Sequence, residues 1–243
     1  MTYCVGLQLD RGLVFLSDTR TNAGVDNIST YRKLFTWEVP GERAMVLMTA
    51  GNLATTQAVV SLLDERNLAA SDRKPSLLTV PSMFQAARLV GSTVRDVIAE
   101  HRGEGPRSGP TFGATMILGG QVAGSPPRLY MIYPEGNFIE AQADTPFFQI
   151  GETKYGRPIL VRAYDPDMEF ARAVKLMMVS FDSTIKANLS VGTPLDLQVY
   201  ETDSLQLGLS RRIEDTDADW RAISDGWSDA LRNAFDSLPD VTL

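Results

Sequence analysis

Tyr3, Val5, Leu7 and Leu9 alternate with Thr2, Cys4, Gly6 and Gln8, a period of two that predicts a strand. Asp10-Arg11-Gly12 is a tight-turn signal, and Leu13 to Ser17 is a short apolar run, so the chain opens on a hairpin. A polar loop from Asp18 to Thr30 follows. Leu34 to Val39 and Arg43 to Ala50 read as a second hairpin around Pro40-Gly41. After Gly51 the period changes. Asn52 can cap a helix running to about Leu68, with Ala58, Leu62 and Leu63 among its buried candidates, and Pro81 or Ser82 opens a second helix striped by Met83, Ala87, Val90, Val94 and Ile98.

Residues 103–111 are rich in glycine and proline and read as a loop. Strands are predicted at Phe112–Leu118, Arg128–Tyr133, Asn137–Glu140 and Phe147–Ile150, with turns at Gly119-Gly120 and Pro134-Glu135-Gly136. Helices are predicted at about Tyr155–Ala163 and Glu169–Ala187. Two late strands, Leu195–Tyr200 and Leu205–Leu209, lead into an acidic helix near Ala218–Phe235. Strands, two helices, strands, two helices, strands is an order dominated by hairpins. It calls for an α+β fold in which two mostly antiparallel sheets stack face to face with helix pairs outside, a four-layer αββα sandwich. No repeat or linker divides the chain, so residues 1–243 are expected to form one domain.

Composition narrows the function classes. With 243 residues, 44% of them hydrophobic, the chain can bury one large core. No run approaches the roughly 20 apolar residues that span a bilayer. The first residues lack the basic and apolar regions of a signal peptide, and a single cysteine cannot form an internal disulfide, so a reducing cytoplasm is expected. A net charge of -7 argues against a nucleic-acid partner. Cys4 reads as a small buried strand residue. Asp215, Asp217 and Asp219 imitate the start of a calcium loop, but Trp220 and Gly226 break the pattern, so they read as helix N-terminal carboxylates. Asp165-Pro166-Asp167 reads as a turn and cap. Trp220, Trp227 and Phe235 lie near one helical face and read as packing within or between subunits. No Cys/His cluster suits zinc, and neither a metal nor a cofactor is expected.

The lone histidine, His101, sits at a polar helix end and is a poor candidate for a catalytic triad. Thr2 offers another route. Methionine before a small residue is the usual substrate for initiator removal. Once Met1 is lost, Thr2 carries a free α-amine of pKa roughly 7.7 to 8.0 beside its hydroxyl. That amine can take the hydroxyl proton near neutral pH, as a histidine would. Asp18 ends the second strand of the first hairpin, which can bring it beside Thr2, since antiparallel partners lie within about 5.5 Å. Lys33 opens the next strand. Its charge would disfavour a protonated amine, and Asp18 would hold it charged and in place.

Thr2, Asp18-Thr19-Arg20, Ala23-Gly24, Arg32-Lys33 and Met48-Thr49-Ala50-Gly51 together resemble, in order and nearly in spacing, the catalytic half of proteasome β-subunits, N-terminal-nucleophile hydrolases. Weaker likeness continues through Gly113-Ala114-Thr115, Phe148-Gln149-Ile150-Gly151 and Ser190-Val191-Gly192. A start with no propeptide before Thr2, and an acidic C-terminal extension from about residue 214, look most like the bacterial ancestral β-subunit branch, Anbu. HslV, the peptidase partner of an ATP-driven unfoldase, is similar but shorter. The resemblance implies that Thr2 is nucleophile and base, that Asp18 and Lys33 support it, and that the Gly51 N–H helps to form an oxyanion hole. Arg20, Asn22, Glu152, Asn188 and Ser190 would form the surrounding shell. Here the chain departs from the family: Asn22 replaces a threonine, Glu152 replaces a serine, and Asn188 with Ser190 replaces an Asp/Ser pair. The loop between Asp18 and Lys33 is also one residue shorter. Glu152 would add negative charge near the amine and weaken it as a base at neutral pH.

Three readings follow. The first is a threonine peptidase or amidohydrolase acting on peptides or amides. The second is an amide transferase or hydrolase for a restricted small or isopeptide substrate. The third is a non-proteolytic ring or spiral scaffold. Self-association is implied by the resemblance in every case, and an ATPase partner is left open.

Overall fold

The structure is a computed structural model that describes residues 2–22, 28–68, 75–103 and 112–242. The strands are β1 (Tyr3–Leu9), β2 (Gly12–Asp18), β3 (Arg20–Asn22), β4 (Ile28–Thr30), β5 (Leu34–Val39), β6 (Arg43–Gly51), β7 (Ala114–Val122), β8 (Arg128–Ile132), β9 (Phe138–Glu140), β10 (Phe147–Gly151), β11 (Leu195–Glu201) and β12 (Ser210–Ile213). The helices are α1 (Leu53–Leu68), α2 (Met83–Gly103), α3 (Arg157–Ala163), α4 (Phe170–Ala187) and α5 (Ala218–Asp236). One sheet has the order β10-β1-β2-β11-β12 and the other β5-β6-β7-β8-β9, with β3-β4 a separate pair. Every described pairing is antiparallel.

Three apolar clusters build the layers. Val59, Leu63, Val90 and Val94 of α1 and α2 pack on Leu47, Met116 and Leu118 of the second sheet. Leu160, Met177 and Phe181 of α3 and α4 pack on Tyr3, Val5 and Leu16 of the first. Between the sheets lie Cys4, Phe15, Val46, Met48, Ile117 and Ile150. Alternation explains the arrangement: Cys4 and Phe15 point to the facing sheet while Tyr3, Val5 and Leu16 point to the helices. The result is the expected four-layer αββα sandwich. Trp220 brings α5 onto the α3–α4 layer, where it is buried. Asp217 caps α5 by accepting from the Asp219 and Trp220 N–H groups, as its sequence position suggests. Asn52 likewise accepts from the Thr55 N–H at the start of α1. Among the described residues no helix is long and apolar enough to cross a membrane.

Several local expectations change. Gly119-Gly120 is not a turn but the interior of β7. A Cβ on Gly119 would lie 2.6 Å from the Phe15 ring, and one on Gly120 would lie 2.1 Å from the Ala44 carbonyl oxygen. The pair lets β7 lie tightly between its neighbours rather than letting it turn. No strand forms at Leu205–Leu209. Asp203 and Leu205 have φ of 62° and 49°, which breaks the extended run, and pairing with β11 resumes as β12. The loop before Thr30 contains the short β3-β4 pair. The segment predicted as a loop at 103–111 begins inside α2, and 104–111 lie outside the described residues. Leu62 is exposed although Leu63 is buried, and Phe235 is exposed although Trp220 is buried. Asp165 does form a turn, accepting from the Asp167 N–H, but the cap position of α4 is Glu169, which makes no side-chain cap bond.

The packing at Gly119 makes a prediction. Gly119→Ala forces the Phe15 ring to move within the inter-sheet core and is expected to destabilise the protein by about 1–3 kcal/mol. Urea unfolding of the variant against the parent measures it.

Candidate active site

Thr2, Asp18 and Lys33 come from three separate element ends. Cys4 lies opposite Ser17 in the β1-β2 ladder, so the end of β2 arrives beside the start of β1. The Asp18 carboxylate there accepts the Tyr3 backbone N–H at 2.9 Å. The chain then leaves the first sheet, passes through β3 and β4, and re-enters the sandwich at Lys33, the residue before β5. Lys33 Nζ donates to Asp18 Oδ1 at 2.7 Å and to the Arg20 carbonyl at 2.6 Å. Both side chains of the pair are almost wholly removed from solvent, at 5% and 0% exposure. Burial raises the Asp18 carboxyl above its ordinary range, and the charge and hydrogen bond of Lys33 and the Tyr3 N–H oppose that rise.

Thr2 is buried, and its carbonyl accepts the Glu152 N–H at 2.7 Å. Gly151 makes this approach possible: a Cβ there would lie 2.0 Å from the Thr2 carbonyl oxygen. Gly51 ends β6 with φ of 120°, where any side chain would meet the Gly113 carbonyl at 2.3 Å. Thr2, Lys33 and Gly51 line one cleft of about 440 Å³, with Thr21, Arg32 and Thr49 among its other walls. A threonine, a lysine and a glycine turn therefore line the same space, an arrangement compatible with acyl transfer.

The shell residues form a brace around this cleft. Arg20 Nη1 donates to the Leu189 carbonyl at 3.1 Å, and its guanidinium lies against Gly192. Glu152 is buried. Its Oε1 accepts the Lys154 N–H and its Oε2 accepts Asn188 Nδ2, both at 3.1 Å. Asn188 Oδ1 in turn accepts the Ser190 N–H at 3.0 Å. The negative charge that replaces the family serine is thus engaged in holding the 188–190 turn. Asn22 ends β3, and its side chain lies outside the described residues, as do Met1 and Ala23-Gly24.

The other candidates sit as structural residues. Cys4 is fully buried with Sγ 3.7 Å from the Thr49 carbonyl, and burial, then the nearby Asp18 charge, push its thiol well up. His101 is half-buried, 3.4 Å from Thr55 Oγ1 and packed near Phe112. Two features were not anticipated. Tyr3 holds the strand behind Thr2: its hydroxyl receives a hydrogen bond from Gln149 Nε2 at 2.6 Å and pairs with Ser180 Oγ at 2.7 Å, and burial pushes its pKa up to about 12. Its place next to Thr2 was the available signal. Arg32 and Thr49 line the cleft and were visible only as flanks of the Arg32-Lys33 and Met48–Gly51 motifs.

Residues 2–199 match the family model described as proteasome subunit. A search of curated proteins gave no match. Among solved structures, Anbu from Hyphomicrobium sp. strain MC1 is 52% identical, covering 99% of this chain and 100% of that one, with a TM-score of 0.90. Anbu, the ancestral β-subunit, from Yersinia bercovieri is 46% identical over 99% of this chain and 100% of that one, with a TM-score of 0.92. The Anbu complex from Pseudomonas aeruginosa, described as a helical assembly, is 51% identical over 99% and 98%, also with a TM-score of 0.92. By the family model and by full-length identity, this chain belongs to the proteasome subunit family, on its ancestral β-subunit (Anbu) branch.

Proposed function

We propose that the protein is an N-terminal threonine hydrolase acting on peptide or amide bonds once Met1 is removed. The observation that carries this reading is the buried Lys33–Asp18 pair at 2.7 Å beside Thr2, in a cleft that Gly51 also lines. In this mechanism Thr2 Oγ attacks the amide carbonyl carbon. The α-amine takes the hydroxyl proton and passes it to the leaving amine, while the Gly51 N–H hydrogen-bonds the oxyanion. The acyl-Thr2 ester that results is hydrolysed by water, for which the α-amine again acts as base. Lys33, kept charged by Asp18, favours the neutral amine and the developing alkoxide. We read residues 1–243 as one β-subunit-like unit with a helical extension from about residue 214, working in the cytoplasm. The helical assembly of the Pseudomonas aeruginosa relative supports self-association into a ring or open spiral. The departures from the family pattern at Asn22 and Glu152 favour a restricted substrate over broad proteolysis.

Natively expressed protein is expected to have an intact mass lower by one methionine residue. Incubation with a β-lactone or epoxyketone should then leave an adduct on Thr2, and none on Thr2→Ala. An unmodified Thr2 in demethionylated protein, under conditions where a proteasome β-subunit reacts, would refute the mechanism. Lys33→Ala should slow adduct formation by about 10²–10³-fold, as loss of one electrostatic stabiliser does, and the rate in the parent should rise with pH as the amine loses its proton.

The pair also makes a stability prediction. Removing Lys33 leaves Asp18 buried without its cation, a change that costs roughly 3–5 kcal/mol when the remaining group stays charged. Protonation relieves it. The folded-state pKa of Asp18, already raised, rises further, so its favourable contribution is full below the unfolded-state value and is lost as pH rises through the folded-state value. Lys33→Ala is therefore expected to be less destabilising at pH 5 than at pH 8, as measured by urea unfolding.

A further inference from the structure

We infer that the cleft beside Thr2 binds substrates carrying a free carboxylate close to the amide to be cut, and that Arg32 is the residue that reads it. The inference rests on the reading of this cleft as the substrate site. Arg32 and Lys33 both line the cleft, and no carboxylate lines it among the described residues. The two cations differ in what they have left to give. Lys33 is buried and donates to Asp18 and to the Arg20 carbonyl. Arg32 is exposed, and among the described residues it has neither a hydrogen bond nor an ion pair within 4.0 Å. Its charge acts on Asp196, with which it shares a second, smaller hollow of about 140 Å³. Arg212 Nε lies 3.7 Å from Asp196 Oδ1, whereas Arg32 makes no ion pair with Asp196 within 4.0 Å.

A guanidinium is planar, always charged and offers two parallel N–H groups that match a carboxylate. The other cleft walls are threonines, glycines and apolar groups, which offer a charged ligand no repulsion. Arg32 is next to Lys33 in the chain, and the cleft is small, so a carboxylate held by Arg32 lies within a residue or two of the carbonyl presented to Thr2. That carboxylate has two possible sources: an acidic side chain in a longer peptide, or the α-carboxylate of a substrate that ends there.

Equilibrium binding to full-length Thr2→Ala protein tests this without any turnover. Fluorescence anisotropy would compare two matched pairs of labelled peptides. One pair has Glu or Gln beside the target amide, and the other has a free or an amidated C-terminus one residue beyond it. At least one pair should show the carboxylate form bound about tenfold more tightly. Added salt should reduce the difference. In the Thr2→Ala/Arg32→Gln protein the preference should vanish, and in Thr2→Ala/Arg32→Lys part of it should remain, with melting temperatures unchanged because Arg32 is exposed. Equal affinity within both pairs, no binding by any of the four peptides, or a preference that survives Arg32→Gln would overturn the inference. Because Thr2 is absent from the tested protein, a parent that ignores electrophiles would defeat the hydrolase reading and leave this result standing.

Discussion

Asp18, at the end of a strand of the first sheet, and Lys33, just before a strand of the second, are opposite charges that meet where almost no solvent reaches. Each ion alone would be costly there, by several kcal/mol, and their attraction offsets the cost only while the geometry holds. That requirement constrains the local architecture. Asp18 must be the last residue of β2, so that its carboxylate can turn to the Tyr3 N–H. The chain must cross from one sheet to the other within the β3-β4 excursion and deliver Lys33 just before β5. The Arg20 carbonyl accepts a second hydrogen bond from the ammonium, and Lys33's own carbonyl accepts the Thr49 N–H at 2.9 Å. The ion pair therefore staples one end of the sandwich together, and Thr2 is mounted on that end.

The opposite wall is held by different means. Glycine at position 151 lets β10 close on Thr2, and the Glu152 N–H fixes the Thr2 carbonyl. Glu152 then spends its carboxylate oxygens on Lys154 and Asn188. Where the related family pattern has a serine at 152 and an aspartate near 188, this chain has a carboxylate at 152 and a carboxamide at 188. One negative charge is kept, and its location is exchanged. Arg20 completes the brace by reaching the Leu189 carbonyl. Arg20, Glu152, Asn188 and Ser190 are thus joined through hydrogen bonds at the 152–154 and 188–190 segments.

Local patterning was enough to find β1, by its period of two, and β2, β5 and β6, by apolar runs and turn signals; β1, β2 and β6 are paired on both sides, and β5 is an edge strand. It was enough to put Asp18 at a strand end. It failed where the deciding contact was distant in sequence. Gly119-Gly120 reads as a turn locally, yet the rings and carbonyls that demand glycine there belong to Phe15 and Ala44. Leu205 and Leu207 look like strand residues, but a left-handed conformation at Leu205 and a bond from the Leu207 N–H to the Glu38 carboxylate bend the segment away. Leu62 sits one step outside the buried face of α1, a distinction that needs the position of the neighbouring helix. Thr2 and Lys33 could be named from their motifs. The partner of Asp18 in β1 could not, since a backbone N–H carries no residue signature.

Charge illustrates the same gap between whole-chain and local properties. A net charge of -7 would repel an acidic ligand at a distance, yet the cleft walls carry arginine and lysine. At physiological ionic strength the Debye length is about 8 Å. The overall charge is therefore largely screened before a ligand arrives, while Arg32 acts at contact. Electrostatic complementarity usually speeds association by steering. Here the long-range field is screened and the contact with Arg32 is attractive. Any preference for a carboxylate must then come mainly from slower dissociation rather than faster encounter, because Arg32 acts only on a ligand already at the cleft. Such a cleft would be tuned to retain a correctly placed acidic group and indifferent to one that merely diffuses near.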